Sequence, residues 1–452
     1  MKNKTPYLTG FSARLCGSAK ASAQARNQSE CRRIARSTIA DSARMFAPIL
    51  DPRFMDELGS SVRRQSYDEV TTFWAWTGQI LGGNDSCSQA VGQVQAWCAE
   101  AGKPVPASNT AAYCTARGRL SEGFLNGVHH KLATGMEGRQ RDSDLWHGMT
   151  LKAIDGSTAR LADTPANQRA YPQPSGQQAG CGFPMIGFVG VLNLSSGAWL
   201  GAAPGRYSEH DSSLMRLHHS RHRALDWRKG RKPGRNERLV EWKKPAQIPS
   251  GSRLGQKAWE ALPDTLTVRY IRFRYENRGG EKSEMVLVTT LLDTETHDWT
   301  ELAVLYATRW EIEVKLRDLK TTLGMERFEV RSPAMARKTL RMMLIAHNLV
   351  RAMTQRAAIG GGCDRRAISF KGSLDLLLAW KSRHRGRNHH VRRVVELDAE
   401  LLELIATKRN IARPFRSEPR AVKQRPKSYP YLTKPRQEYV EIQHRSRYRK
   451  AA

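Results

Sequence analysis

At Leu151 the hydrophobic period of this 452-residue chain changes, and that change restricts the fold to a few architectures. Upstream, from about Asp51 to Ala133, residues such as Val70, Phe73, Trp74, Ile80 and Leu81 recur at helical spacing. Downstream, Leu151–Ile154, Pro184–Leu194, Trp199–Ala203 and Val268–Tyr275 read as strands, the middle pair joined by the turn Ser195-Ser196-Gly197. Met285–Leu292 is a continuous apolar run, the pattern of a buried strand. Helical spacing returns from about Trp299 to Ala358, broken at Ser332-Pro333, and again over Leu374–Trp380 and Val394–Ala406. Helical segments therefore stand before and after a block of strands. No internal repeat is present.

Local signals sharpen the organisation. Residues 1–45 read as a loose basic arm and 46–148 as a helical region. Ser86 is placed to cap a helix running to Ala101 and closed by Gly102, and Ser108-Asn109 to cap the next. That second helix carries Arg117 and Arg119, which suits the major groove of DNA or, equally, a small bundle packed on its neighbour. The strand-rich domain spans 149–358, with a β-rich insertion at about 221–284 that begins in a basic stretch. A helical region follows over 359–407, then a basic tail, 408–452. The tail carries 14 basic residues against three acidic ones between Lys408 and Lys450, a composition suited to following a phosphate backbone.

Charge supplies the first functional constraint. Lys and Arg number 74 against 43 Asp and Glu, a net charge of +31, whose self-repulsion a polyanion would relieve. Nucleic acid is the expected partner. Hydrophobic residues at 40% exclude wholesale disorder. No apolar run approaches the roughly 18 residues of a membrane span, and the start Met1-Lys2-Asn3-Lys4 lacks a secretory apolar stretch, so the expectation is a cytoplasmic protein without membrane contact. Seven scattered cysteines fit reduced thiols; Cys87, Cys98 and Cys114 read as small core residues. His218, His219, His222, His389 and His390 invite a zinc reading, but they sit among Arg and Lys, which repel a dication.

One segment concentrates chemistry. On a regular helix Tyr306, Arg309, Glu313 and Lys320 fall within about 60° of one another, beside an apolar stripe of Leu305, Ile312, Leu316 and Leu319. Such a row suits phosphate: Arg309 grips it, Lys320 adds charge, and Glu313 can hold a divalent metal against it. The same residues also read as a solvated face with an Arg309–Glu313 pair four apart. Asp155, at the end of the first strand, is either a turn residue or a second carboxylate. An acid on a central strand and one on a helix packed across that sheet is the geometry of ribonuclease-H-like nucleases.

The spacing Y-x2-R-x3-E-x6-K resembles the YREK signature of DDE transposases of the insertion-sequence-four family. Asp155-Gly-Ser-Thr158 with Asp163–Gln168, Tyr207–Asp211, and Arg425–Arg436 resemble further blocks of that family, in order. The resemblance implies an α/β fold, a ribonuclease-H-like mixed sheet flanked by helices. It implies Mg2+ or Mn2+ held by Asp155 and Glu313, with Tyr306, Arg309 and Lys320 contacting DNA at the scissile phosphate. Double-stranded DNA, as terminal inverted repeats and target DNA, would be the substrate, with a homodimer on DNA. One block departs from the pattern. The family's second catalytic Asp lies on a core strand after the Ser-Glu-His block, yet Ser208–Leu217 runs almost directly into His218–Arg223. That strand and its Asp are expected to be missing, with Asp211 and Asp226 as weak substitutes. The expected outcome is a weakened transposase or, alternatively, a catalytically inactive DNA-binding protein. A nuclease without strand transfer is a further reading.

Overall fold

In the computed structural model the described residues are 39–59, 66–83, 85–207, 230–248, 256–276, 282–384, 391–410, 432–435 and 438. Six helices open the chain: α1 (Ile39–Phe46), α2 (Pro52–Leu58), α3 (Glu69–Leu81), α4 (Cys87–Glu100), α5 (Ala111–Arg119) and α6 (Glu122–Glu137). Their starts are set by side-chain caps. Asp51, Asp68, Ser86 and Ser121 accept hydrogen bonds from the free N–H groups of Arg53, Thr71, Gln89 and Phe124. Asn109 accepts from Ala111 N–H ahead of α5, while Thr110 takes the cap position.

Two expectations are corrected here. The arm read over 1–45 lies outside the described residues up to 38, but from Ile39 it is helical, with Asp41 and Met45 buried. Arg117 does not face solvent. It donates to Gln79 Oε1 (3.2 Å) and lies over the rings of Trp76 and Tyr113, so its charge serves the core while Arg119 stays exposed.

Strands β1 (Lys152–Leu161), β2 (Met185–Asn193) and β3 (Trp199–Arg206) form an antiparallel meander, with α7 (Pro165–Ala170) between the first two. The sequence ended the first strand at Asp155, but β1 runs on to Leu161, so Asp155 lies within it. Polar residues from Asp155 to Thr158 break the alternation in the sequence, yet their backbone pairs register by register with β2. Asn193 Oδ1 accepts from Ser195 and Ser196 N–H, and Gly197 at φ +80° closes the hairpin.

A second, three-stranded antiparallel sheet follows: β4 (Glu237–Lys243), β5 (Thr265–Glu276) and β6 (Lys282–Thr289), in that order, with α8 (Gln256–Glu260) preceding β5. The buried strand expected over Met285–Leu292 is instead an edge strand ending at Thr289. Leu287 is buried, but Val286 and Val288 are about two-fifths exposed, because one face packs and the other meets solvent. A small core of Ile271, Leu287 and Leu302 ties this sheet to α9 (Trp299–Ala307).

The helix expected to run unbroken from Trp299 to Ser332 is also interrupted. α10 (Trp310–Arg317) follows α9 after a tight turn and continues into a π-helical turn, Asp318–Thr322. β7 (Arg327–Phe328) then pairs parallel with Arg160 and Leu161 of β1, giving a mixed sheet in the order β3-β2-β1-β7. The remaining helices are α11 (Pro333–Gly360), capped by Ser332, α12 (Phe370–Trp380) and α13 (Val391–Ala406). Buried from Met342 to Gln355, α11 is the axis of the molecule, and one hydrophobic cluster runs from α1 through the sheet to α13.

The contact between α11 and β3 is polar at its centre. Asn348 accepts from Trp199 N–H (2.9 Å) and donates to its carbonyl (2.9 Å). His129 Nε2 on α6 lies 2.8 Å from the same carbonyl, and its Nδ1 2.9 Å from Arg341. This arrangement requires the neutral ring, with Nε2–H donating to the carbonyl. Burial, reinforced by Arg341, pushes its pKa down to about 3. A histidine depressed in the fold binds its proton more readily when unfolded, so its contribution is present above pH 6.5 and lost as pH falls toward about 3. The chain is therefore expected to lose stability steadily below pH 6.5. Urea midpoints should fall less steeply in His129→Gln, which cannot take up that proton.

Candidate active site

Asp155 projects from β1 opposite Gly190 of β2. Gly190 is required there: a Cβ would meet the buried Trp199 ring at 2.6 Å. The Asp155 carboxylate accepts from Gly156 N–H (2.8 Å). Across from it α10 packs on β1 and brings in the rest of the set.

Arg309 is its centre. The guanidinium donates to Glu313 Oε1 (2.9 Å) and lies 5.9 Å from the Tyr306 ring centroid. Partial desolvation opposes its charge, but Glu313, Tyr306 and Asp155 outweigh that and hold its pKa above the ordinary value. Glu313 binds that cation directly, and Tyr306 is exposed beside it.

The regular helix assumed for this row is not what forms. Thr308 and Arg309 donate back three residues, to Leu305 and Tyr306, which overwinds the chain. After Arg317 the winding loosens, and Leu323 N–H reaches Asp318 O, five residues back. Half-buried Lys320 sits in that loose turn rather than on the helix carrying Glu313. The apolar stripe is divided likewise: Leu305 packs with the second sheet, while Ile312, Leu316 and Leu319 enter the main core.

Beneath Glu313 lies a charged cluster that the sequence reading missed. Arg351 of α11 pairs with Asp318 (2.5 Å), Arg366 with Glu311, and Arg365 donates to the carbonyls of Leu194 and Ser195 in the β2–β3 turn. Lys315 is buried among them. Burial, then Arg351, lowers its pKa to about 7 against the pull of Asp318 and Glu311. A signal existed: 312, 315, 316 and 319 follow the i, i+3, i+4, i+7 pattern, which puts Lys315 on the buried face.

Among the described residues no group of three His, Cys, Asp or Glu could hold a metal ion. Asp211, Asp226 and the histidines at 218, 219, 222, 389 and 390 lie outside the described residues, as does the basic stretch from 221 to 229.

A family model described as a transposase DDE domain matches residues 216–349, which include the helix bearing Glu313; Asp155 precedes the match. The chain is also 27% identical over 327 residues to the transposase InsG for insertion sequence element IS4 of Escherichia coli strain K12. That alignment covers 64% of this chain and 71% of the relative. Both findings support a DDE transposase of the insertion-sequence-four family.

A transposase acts on DNA, and transposases of the DDE class use divalent metal ions. The mixed sheet flanked by helices is consistent with the ribonuclease-H-like fold of such enzymes. No helix among the described residues is long and apolar enough to cross a membrane.

Proposed function

We propose that Asp155 and Glu313 hold the divalent cation of this transposase, Mg2+ or Mn2+, and that Tyr306, Arg309 and Lys320 grip DNA at the scissile phosphate. The observation that carries the reading is the packing of α10 on β1, the strand of Asp155, with Arg309 bound to Glu313 of that helix at 2.9 Å. The oxygen donors of the two carboxylates suit a hard cation. The Arg309–Glu313 pair is more than a third exposed and worth only about 0.3–0.5 kcal/mol, so it yields readily to a cation and a phosphate. When bound, the metal would activate an attacking hydroxyl and stabilise the leaving oxygen. Arg309, released from Glu313, would hold the phosphate bidentately, and Lys320 would add point charge.

Two acids are one fewer than a DDE centre uses, and we infer that this copy cleaves poorly. Support comes from β1: among the described residues its second edge has a strand partner only at Arg160 and Leu161, leaving Lys152–Ala159 unpaired beside Asp155. That is where a core strand carrying another acid would pair. Terminal inverted repeats and target DNA are the proposed substrates, held by a homodimer through the helical region 46–148 and the tail 408–452. The proposed compartment is the bacterial cytosol or nucleoid.

Cleavage and joining of cognate ends in Mg2+ test both points. Glu313→Gln is expected to cut the cleavage rate about 10²–10³-fold, with salt-dependent DNA affinity unchanged. Cleavage insensitive to Glu313→Gln removes that assignment. Robust activity in a chain with both Asp211 and Asp226 replaced by Asn removes the account of a missing acid.

A further inference from the structure

The first turn of α4 carries a pair of thiols unconnected with phosphoryl transfer. Cys87 is the first residue of that 14-residue helix, directly after its Ser86 cap. Its Sγ accepts from Arg117 (3.4 Å) and lies 3.8 Å from Gln79 Nε2. Arg117 is itself buried, and its Nε has no partner. The helix N-terminus and the guanidinium both face this sulfur. Cys114, on the packed helix α5, is hydrogen-bonded to Cys87 and exposed, and Cys87 is partly exposed. Neither is in a disulfide.

We propose that Cys87 and Cys114 form a peroxide-oxidisable dithiol, with Cys87 as the attacking sulfur and Cys114 as the resolving one. Cys114, exposed beside Cys87, is placed to reach the oxidised sulfur. The Cys87 thiolate takes the terminal oxygen of a hydroperoxide. An S–O bond forms, the O–O bond breaks, and the alkoxide leaves as an alcohol with a proton from solvent. Cys87 is then a sulfenic acid. The Cys114 sulfur attacks it, an S–S bond forms, and hydroxide leaves as water with the Cys114 proton. The two sulfurs lose the two electrons that the peroxide gains. The product ties the start of α4 to α5.

The test uses the full chain, hydrogen peroxide, alkylation of the remaining thiols and peptide mass spectrometry. Low peroxide is expected to remove two alkylatable thiols and yield a Cys87–Cys114 cross-linked peptide that dithiothreitol releases. In Cys114→Ser the loss falls to one thiol, trapped by dimedone at Cys87. Cys98→Ser, which alters a fully buried thiol, leaves the cross-link intact. The proposal fails if Cys87 and Cys114 remain alkylatable while other cysteines are consumed, or if Cys87 pairs with a different cysteine.

Discussion

Replacing Asp318 with alanine is expected to destabilise the transposase by about 3–5 kcal/mol, the usual cost of stripping one partner from a buried ion pair. The reason is the balance of charge beneath α10. Asp318 is the acid bound to Arg351, and Lys315, itself buried, has Asp318 and Glu311 as its neighbouring anions. Without Asp318, two cations share a dry site with Glu311, which already pairs with Arg366. His347 cannot help, since burial followed by Arg351 and Lys315 keeps its ring neutral. Urea denaturation should show the loss as a lower midpoint. Lys315→Met supplies the opposite sign: it removes a desolvated amine of similar length and should leave stability unchanged or raise it. If both substitutions destabilise equally, the cluster is not governed by excess positive charge. Asp318 also begins the π turn that holds Lys320, so its loss should weaken the DNA contact proposed for Lys320 before the fold is lost.

That cluster marks where sequence reading runs out. The hairpin around Ser195–Gly197 and the helix after Ser86 are legible because each rests on local chemistry: a turn glycine, a capping hydroxyl, a period. The Arg309–Glu313 pair is legible too, because a spacing of four brings side chains to one face wherever the helix is regular. What cannot be read is winding. The tight turn before Arg309 and the loose turn after Arg317 depend on which core each end enters, the small one at Leu302 or the large one at Ile312. Arg117 fails for a related reason: a basic residue on a helix looks like a DNA contact until Gln79, Trp76 and Tyr113 close around it. Asp155 reads as a strand's end but lies within β1, since polar residues following a short apolar run look like an end even when backbone pairing continues.

The second large effect lies in the inserted sheet. Arg269 on β5 is wholly buried and bound to Glu237 of β4 (2.8 Å). Its Nη1 also donates to the carbonyls of Asp293 (3.2 Å) and His297 (2.7 Å), in the loop that leads into α9 and Tyr306. The His297 ring stacks on Trp146, 5.3 Å away, which anchors the same loop from its other side. Glu237→Ala is expected to cost about 3–5 kcal/mol, because a guanidinium at zero exposure loses its only acidic partner among the described residues. The damage should be local. Amide exchange should quicken from β4 through residues 291–307 while α11 keeps its protection, since the small core at Ile271 is separate from the main one. The double variant Glu237→Leu with Arg269→Met separates loss of charge balance from loss of the loop's anchor. It should recover much of the stability, since no charge is left stranded, yet leave 291–307 fast, since nothing then holds the carbonyls of Asp293 and His297. If the double variant also restores slow exchange in that loop, the hydrogen bonds of Arg269 do not set the entry to the Tyr306 helix, and packing against Trp146 alone must do so.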